Sequence, residues 1–321
     1  MSIEILSPGL LSTIQDLGRI GYQASGFAPT GACDFLSMKR ANALVGNDPG
    51  EAVIEMMLLG ITAYFRAACV IALAGADMAP KINGTAVENG TAIRVEPGDV
   101  LELSGTRDGM GCYLAVSGGF DIPPVMGSRS TGLRFGVGGF EGRKLARGDM
   151  LPLRAPVPDL PDLVCRRLIS RPVFGKHNVL RAIPGPQDDM FSDKELNGFF
   201  SHPYSVTNAT DRMGIRLEGE PIVPKRTSDI ISDGTVFGAI QVPSGGQPII
   251  LMADRQTTGG YAKIAAVITA DLPRAAQMRP GCTVRFMPVT VEEAQEILAA
   301  ENKAYAEEYR LLNGFLPGQR K

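Results

Sequence analysis

The sequence predicts a mainly β protein of two domains, and three features carry that expectation. Glycine (38) and proline (23) are abundant, which suits many short strands joined by turns better than a helical bundle. Residues 52–103 alternate short apolar runs with turn residues and show no helical periodicity. The 321-residue chain is long enough for two cores. Its proline-rich stretch at 154–172 has the composition of a linker. The expected division is a β-rich N-terminal domain over residues 1–160 and a second β-rich domain with a terminal helix over residues 173–321.

In chain order, Ile3-Glu4-Ile5-Leu6 reads as a strand halted by Ser7-Pro8-Gly9. Residues 10–17 then lead into a polar, glycine-spaced segment where Gln15, Asp16 and Arg19 are candidates to line a site. A loop ion pair between Asp16 and Arg19 is an equally open reading. Asp34 is placed to N-cap a helix over residues 35–45, with Gly46 at its left-handed C-terminal position. Strands are expected over residues 52–59, 61–65, 69–73, 91–95, 100–103 and 113–116, with a turn at Ile82-Asn83-Gly84. Gly127-Ser128-Arg129-Ser130-Thr131-Gly132 and the glycines that follow can cradle an anion, with Ser128 and Arg129 facing it, or can be structural looping. They match neither the P-loop nor the dinucleotide fingerprint.

The second half opens with a strand over residues 179–183, a short helix over 191–200 and a strand at Tyr204-Ser205-Val206. Asp211 and Arg212 either pair or face a cleft. Residues 248–252 and 264–268 read as buried strands, and between them lie Asp254, Arg255, Gln256, Thr257, Thr258, Gly259, Gly260, Tyr261 and Lys263. The Gly-Gly pair allows close backbone approach or an anion-binding nest; a hairpin with a solvated tip is the alternative. Under the first reading Arg255, Lys263 and Asp254 are the catalytic candidates. Gln241, Arg212, Thr257, Thr258, Gly259, Gly260 and Tyr261 are then substrate-binding. Thr290 and Glu293 form a capping box opening a terminal helix, and Gly314 lies beyond its end. A weak echo between residues 96–103 and 279–286 is consistent with two related β units.

A net charge of −2, from 32 basic and 34 acidic residues without like-charge runs, points away from nucleic acid and anionic membranes. The apolar stretch at 53–61 is short and interrupted by Glu55, so no spanning helix is expected. The N-terminus lacks the pattern of a signal peptide, which makes the cytoplasm the default location. Five cysteines without a C-x-x-C pair and two histidines outside any ligand spacing predict neither a metal site nor a disulfide framework.

Several motifs together are similar to one family. They are Ser7-Pro8-Gly9-Leu10 through Gln15-Asp16-Leu17-Gly18-Arg19, Gly31-Ala32-Cys33-Asp34, Ala41-Asn42-Ala43-Leu44-Val45-Gly46-Asn47, Gly127-Ser128-Arg129-Ser130-Thr131, Asp211-Arg212-Met213-Gly214 and residues 254–261. The family they resemble is KipA, also called allophanate hydrolase subunit 2 or the C component of 5-oxoprolinase. Cys33 stands where that family commonly has methionine. The resemblance implies two cyclophilin-like β-barrel domains with a few peripheral helices and a C-terminal helix, and kinship to the carboxyltransferase part of urea carboxylase. It implies work beside a KipI-like B component and, in 5-oxoprolinase, a LamB/YcsF-like A component, with ATP driving the opening of 5-oxo-L-proline to L-glutamate. Whether ATP is held by this chain or elsewhere in the complex stays open. Two further readings share the barrel: a carboxyltransferase-like protein using carboxybiotin on a urea-type substrate, and a non-catalytic antagonist of a KipI-like inhibitor of a sensor kinase.

Overall fold

The computed structural model describes residues 1–154, 163–314 and 316–318, so residues 155–162 of the expected linker lie outside the described residues. The chain forms two compact units, one of residues 1–20, 30–173 and 303–321, the other of residues 21–29 and 174–302.

The first unit is built on two antiparallel sheets. One contains the strands Met150–Pro152, Ser2–Ser7, Thr62–Phe65, Val100–Glu102, Lys81–Ile82 and Thr85–Ala86, in that order; the other contains Leu11–Gln15, Val53–Met57, Gly111–Val116, Cys69–Gly75 and Ala92–Val95. One face of each sheet supplies a shared core: Ile3, Ile5, Ala63 and Phe65 come from the first, Ile54, Met56, Ile71, Leu73 and Leu114 from the second. In the second sheet the alternate residues Val53, Val70, Ala72, Tyr113 and Ala115 are also buried, against Met38, Ala41 and Leu44 of the helix Phe35–Leu44. Burial on both faces explains why 69–74 and 112–116 read as continuous apolar runs rather than alternating ones. The helix starts as expected, with Asp34 accepting from Ser37 N at 2.9 Å and Ser37 Oγ at 2.6 Å, and Gly46 follows it at φ 73°.

The second unit holds a closed barrel of seven strands: His177–Pro184, Lys263–Val267, Ala239–Gln241, Ile249–Leu251, Gly214–Glu218, Tyr204–Val206 and Thr283–Pro288. Parallel pairing of His177–Pro184 with Thr283–Pro288 closes it, and so removes exposed edges. The helix Asp193–Ser201, N-capped by Ser192, seats Phe199 on the ring of Phe286 at 4.7 Å. A short helix, Leu272–Ala276, begins with Pro273 in its first turn.

The last helix, Val291–Asn313, opens with the expected capping box: Thr290 N donates to Glu293 Oε2 at 2.8 Å and Glu293 N to Thr290 Oγ1 at 3.1 Å. From Lys303 it belongs to the first unit. There Tyr309 donates to Asn47 O at 3.2 Å, Glu308 pairs with Arg40 at 2.9 Å, and Asn313 donates to Ala43 O at 3.1 Å. The architecture is mainly β, as the sequence predicts, with few helices and a terminal one.

One local expectation changes. Thr258–Tyr261 is not a loop between two barrel strands but a strand itself, paired antiparallel with Asp229–Gly234. Neither Gly259 nor Gly260 has the positive φ of a nest. The neighbouring Thr257, Thr258 and Tyr261 favour extended backbone and explain the outcome.

Candidate functional site

The candidates of the first unit converge on Asp16. Its Oδ1 accepts from Gly18 N at 2.8 Å, Ser128 Oγ at 2.7 Å and Ser130 Oγ at 2.6 Å, and its Oδ2 accepts from Arg129 N at 2.6 Å. Both oxygens of the carboxylate are thereby occupied, and the alternative reading of an Asp16–Arg19 ion pair is not realised. The fully buried Arg19 instead donates from Nε to Val125 O at 3.0 Å and from Nη2 to Ser130 O at 2.9 Å. Burial lowers its pKa while the charge of Asp16 opposes that shift. Gln15 completes the network, donating to Thr131 O at 3.2 Å and accepting from Gly31 N at 3.2 Å. Arg129 donates from Nε to Ile122 O at 2.7 Å and lies 3.9 Å from Glu51, whose other oxygen pairs with Arg154.

The nearby glycines are not an open cradle. Gly138 and Gly139 lie at φ 68° and 55°, and a Cβ on either would overlap Ser130 O or Thr131 Oγ1. They let the chain wrap closely over residues 130–131.

The second unit gathers the remaining candidates. Arg212 and Asp254 form a bidentate pair, Nε to Oδ2 and Nη2 to Oδ1, both at 2.9 Å. Lys263 opens a barrel strand with its side chain only 4 % exposed, and its Nζ lies 3.1 Å from Oδ2 of Asp233. That hydrogen bond holds the Asp233 carboxyl below the usual range. Lys263 N donates to Gln187 Oε1 at 3.1 Å.

Beside this pair two carboxamides meet. Gln256 Nε2 donates to Gln241 Oε1 at 3.3 Å, and Gln241 Nε2 reaches Tyr261 O at 3.5 Å. Both bonds are long, so both amides can exchange partners. Gly259 makes room here for a carboxamide: a Cβ would overlap Gln241 Nε2 and displace that side-chain end. Thr257 O accepts from Thr235 N at 3.0 Å, and the Thr235 hydroxyl donates to Gln256 O. Thr258 and Gly260 serve the two-stranded ladder, with Thr258 opposite Gly234.

Arg255 differs from these neighbours. Its residue is 6 % exposed, it lies 5.8 Å from the Phe237 ring centre, and among the described residues its side chain makes one long hydrogen bond, Nη1 to Met252 O at 3.4 Å. Its Nε has no partner among the described residues. Burial lowers its pKa to about 10, so it remains charged at neutral pH.

Asp233, Gln187, Thr235 and Phe237 were not singled out from the sequence. The Asp233-Gly234 pair was the one available signal, and it reads equally well as a turn. Among the described residues no group of three or more His, Cys, Asp or Glu could hold a metal ion.

Known proteins share this sequence and fold. Residues 25–288 match the family described as carboxyltransferase domain, subdomain A and B. The chain is 39 % identical over 294 residues to the C component of 5-oxoprolinase from Escherichia coli (strain K12), covering 91 % of this chain and 93 % of that one. It is 37 % identical over 308 residues to the C component of the Haemophilus influenzae enzyme, covering 96 % and 97 %. The solved urea amidolyase of K. lactis superposes with a TM-score of 0.87 at 28 % identity over 96 % of this chain, which spans only 20 % of that larger protein. The chain belongs to the carboxyltransferase domain family, subdomains A and B, together with the C components of 5-oxoprolinase.

Proposed function

We propose that the chain is the C component of an ATP-dependent 5-oxoprolinase that hydrolyses 5-oxo-L-proline to L-glutamate, and that it works beside KipI-like and LamB/YcsF-like partners. The supporting observation is the two-way correspondence with the C components, more than nine-tenths of each chain at 37–39 % identity. In the proposed reaction ATP supplies the activation that makes the lactam carbon electrophilic. The backbone at Gly259 and Gly260 is held in a ladder and lacks the positive φ of an anion nest, which supports the reading that ATP is held away from these residues.

Phosphorylation of the lactam oxygen by ATP would release ADP. Water then adds to the ring carbon, and the ring C–N bond breaks with its nitrogen gaining a proton to become the amine of glutamate. A second water cleaves the resulting acyl phosphate to the carboxylate and inorganic phosphate. Two groups of this chain suit that chemistry. A lactam ring presents its N–H and C=O on one edge, and a primary carboxamide presents the complementary acceptor and donor. Gln241 and Gln256, joined by a long and exchangeable bond, are suited to reading that edge. The Lys263 ammonium is a preorganised donor for the lactam oxygen as negative charge develops there. Asp233, whose side chain is 56 % exposed, holds that ammonium until substrate arrives.

The test is reconstitution. With all three purified chains, 5-oxoproline should stimulate ATP hydrolysis and yield glutamate; omission of this chain should abolish both, and this chain alone should be inactive. Undiminished turnover without it would exclude the assignment. The likeness to urea amidolyase supports a second reading, a carboxyltransferase acting on a urea-type substrate. Carboxyl transfer to urea from a carboxylated biotin carrier, in place of lactam opening, would select it.

A further inference from the structure

Three cations among the candidate residues of the second unit are buried, and two of them have carboxylate partners: Arg212 is paired with Asp254 and Lys263 with Asp233, and Arg255 is left over. Arg255 makes no ion pair among the described residues. A buried guanidinium whose desolvation is not offset by a counter-charge is unfavourable. Met252 O supplies a carbonyl dipole at the end of a long hydrogen bond and Phe237 a ring face 5.8 Å from the guanidinium carbon, but neither is a counter-charge. The missing element is an anion.

We propose that Arg255 reads the carboxylate of the substrate, and that the site is therefore built for lactams bearing an α-carboxylate rather than for neutral amides. This rests on the 5-oxoprolinase reading. In 5-oxoproline the carboxylate sits on the ring carbon bonded to the lactam nitrogen. A ligand whose lactam edge meets the Gln256 carboxamide thus carries its anion beside that edge, and Arg255, which adjoins Gln256 in sequence, is the candidate cation without a counter-ion among the described residues. The planar guanidinium fork matches a carboxylate bidentately. A urea-type substrate has no such group and would leave the charge unmatched, so Arg255 discriminates between the two substrate classes.

The experiment compares 5-oxoproline with 2-pyrrolidinone, the same lactam without the carboxylate, as substrate or competitor in the reconstituted three-chain complex. Arg255→Gln should raise KM for 5-oxoproline roughly 10- to 100-fold and leave KM or Ki for 2-pyrrolidinone within about two-fold of the parent. Arg255→Lys should recover part of the loss, and it supplies a second reading should the Gln variant fold poorly. Equal losses on the two lactams, or an unchanged KM for 5-oxoproline, would overturn the assignment. A parent complex inert toward 5-oxoproline would instead overturn the functional reading, and this inference with it.

Discussion

Asp254 was a catalytic candidate on sequence, yet its carboxylate is fully engaged by Arg212, and this predicts a structural phenotype. Arg212 is 3 % exposed and Asp254 12 % exposed on their side chains, and two bonds of 2.9 Å join them. The pair fastens the turn after Ile249–Leu251 to the turn before Gly214–Glu218, where Asp254 N also donates to Arg212 O at 2.8 Å. Asp254→Ala removes the counter-ion and leaves the guanidinium buried, at a cost of about 3–5 kcal/mol. For a unit of this size the melting temperature should fall by on the order of 10 °C. Replacing both partners with apolar residues, Arg212→Met with Asp254→Leu, removes the uncompensated charge as well and should restore most of the loss. Thermal melts of the parent, Arg212→Met, Asp254→Leu and the double variant close the cycle and give the coupling energy, and reconstituted turnover is measured on the same samples. A double variant that melts like the parent but is inactive would refute the structural reading and return Asp254 to the chemistry. Additive losses would refute the pair itself.

Three further outcomes follow from the geometry. Asp16→Ala should lower stability by about 3 kcal/mol in chemical denaturation, since the N–H groups of Gly18 and Arg129 lose their buried acceptor while the Ser128 and Ser130 hydroxyls can rotate. Gly259→Ala should displace the Gln241 carboxamide and reduce reconstituted turnover roughly 10²-fold, with a melting temperature close to the parent because the displaced group is a side-chain end. Asp149 has its pKa lowered chiefly by hydrogen bonds from Arg143 at 2.8 and 2.9 Å. A depressed carboxylate pKa stabilises the fold above the ordinary aspartate value of about 3.9, and that contribution is lost as pH falls through the folded value. Asp149→Asn should therefore flatten the acid limb of stability against pH below about 4, with little change in how stability varies with pH near neutrality.

What the sequence disclosed was local. The Thr290–Glu293 box, the Asp34 cap and the Gly46 terminus depend on residues within a few positions of one another, and each is found where the spacing placed it. The buried strands were legible because 69–74 and 112–116 are apolar on both faces. The partners of the site cations were not legible. Asp233 meets Lys263 across 30 residues, and Arg212 meets Asp254 across 42. The first depends on a two-stranded ladder whose register shifts between Asp229 and Asp233, a feature without a sequence signature. The same ladder turned the Gly-Gly pair from an expected nest into strand residues, one of which makes room for Gln241.

The two polar clusters differ in how their charges are met, and this decides where chemistry is to be sought. In the first, Asp16 is saturated by four donors, and the Arg19 side chain is directed at the carbonyls of Val125 and Ser130. A ligand entering there would have to break short, buried bonds that hold residues 16–19 to 128–131, and would lose the stability they confer. In the second, the amide bonds are long, the counter-ion of Lys263 is exposed, and Arg255 has no counter-ion among the described residues. Under the proposed reading, each is a group that an anionic, amide-bearing molecule would satisfy. A fold retains buried polar groups in such a state at a cost to its own stability, as functional sites characteristically do. We therefore read the saturated cluster as scaffold and propose the unsaturated one, on the barrel strands and the Asp229–Gly234 and Thr258–Tyr261 ladder, as the place to seek the site.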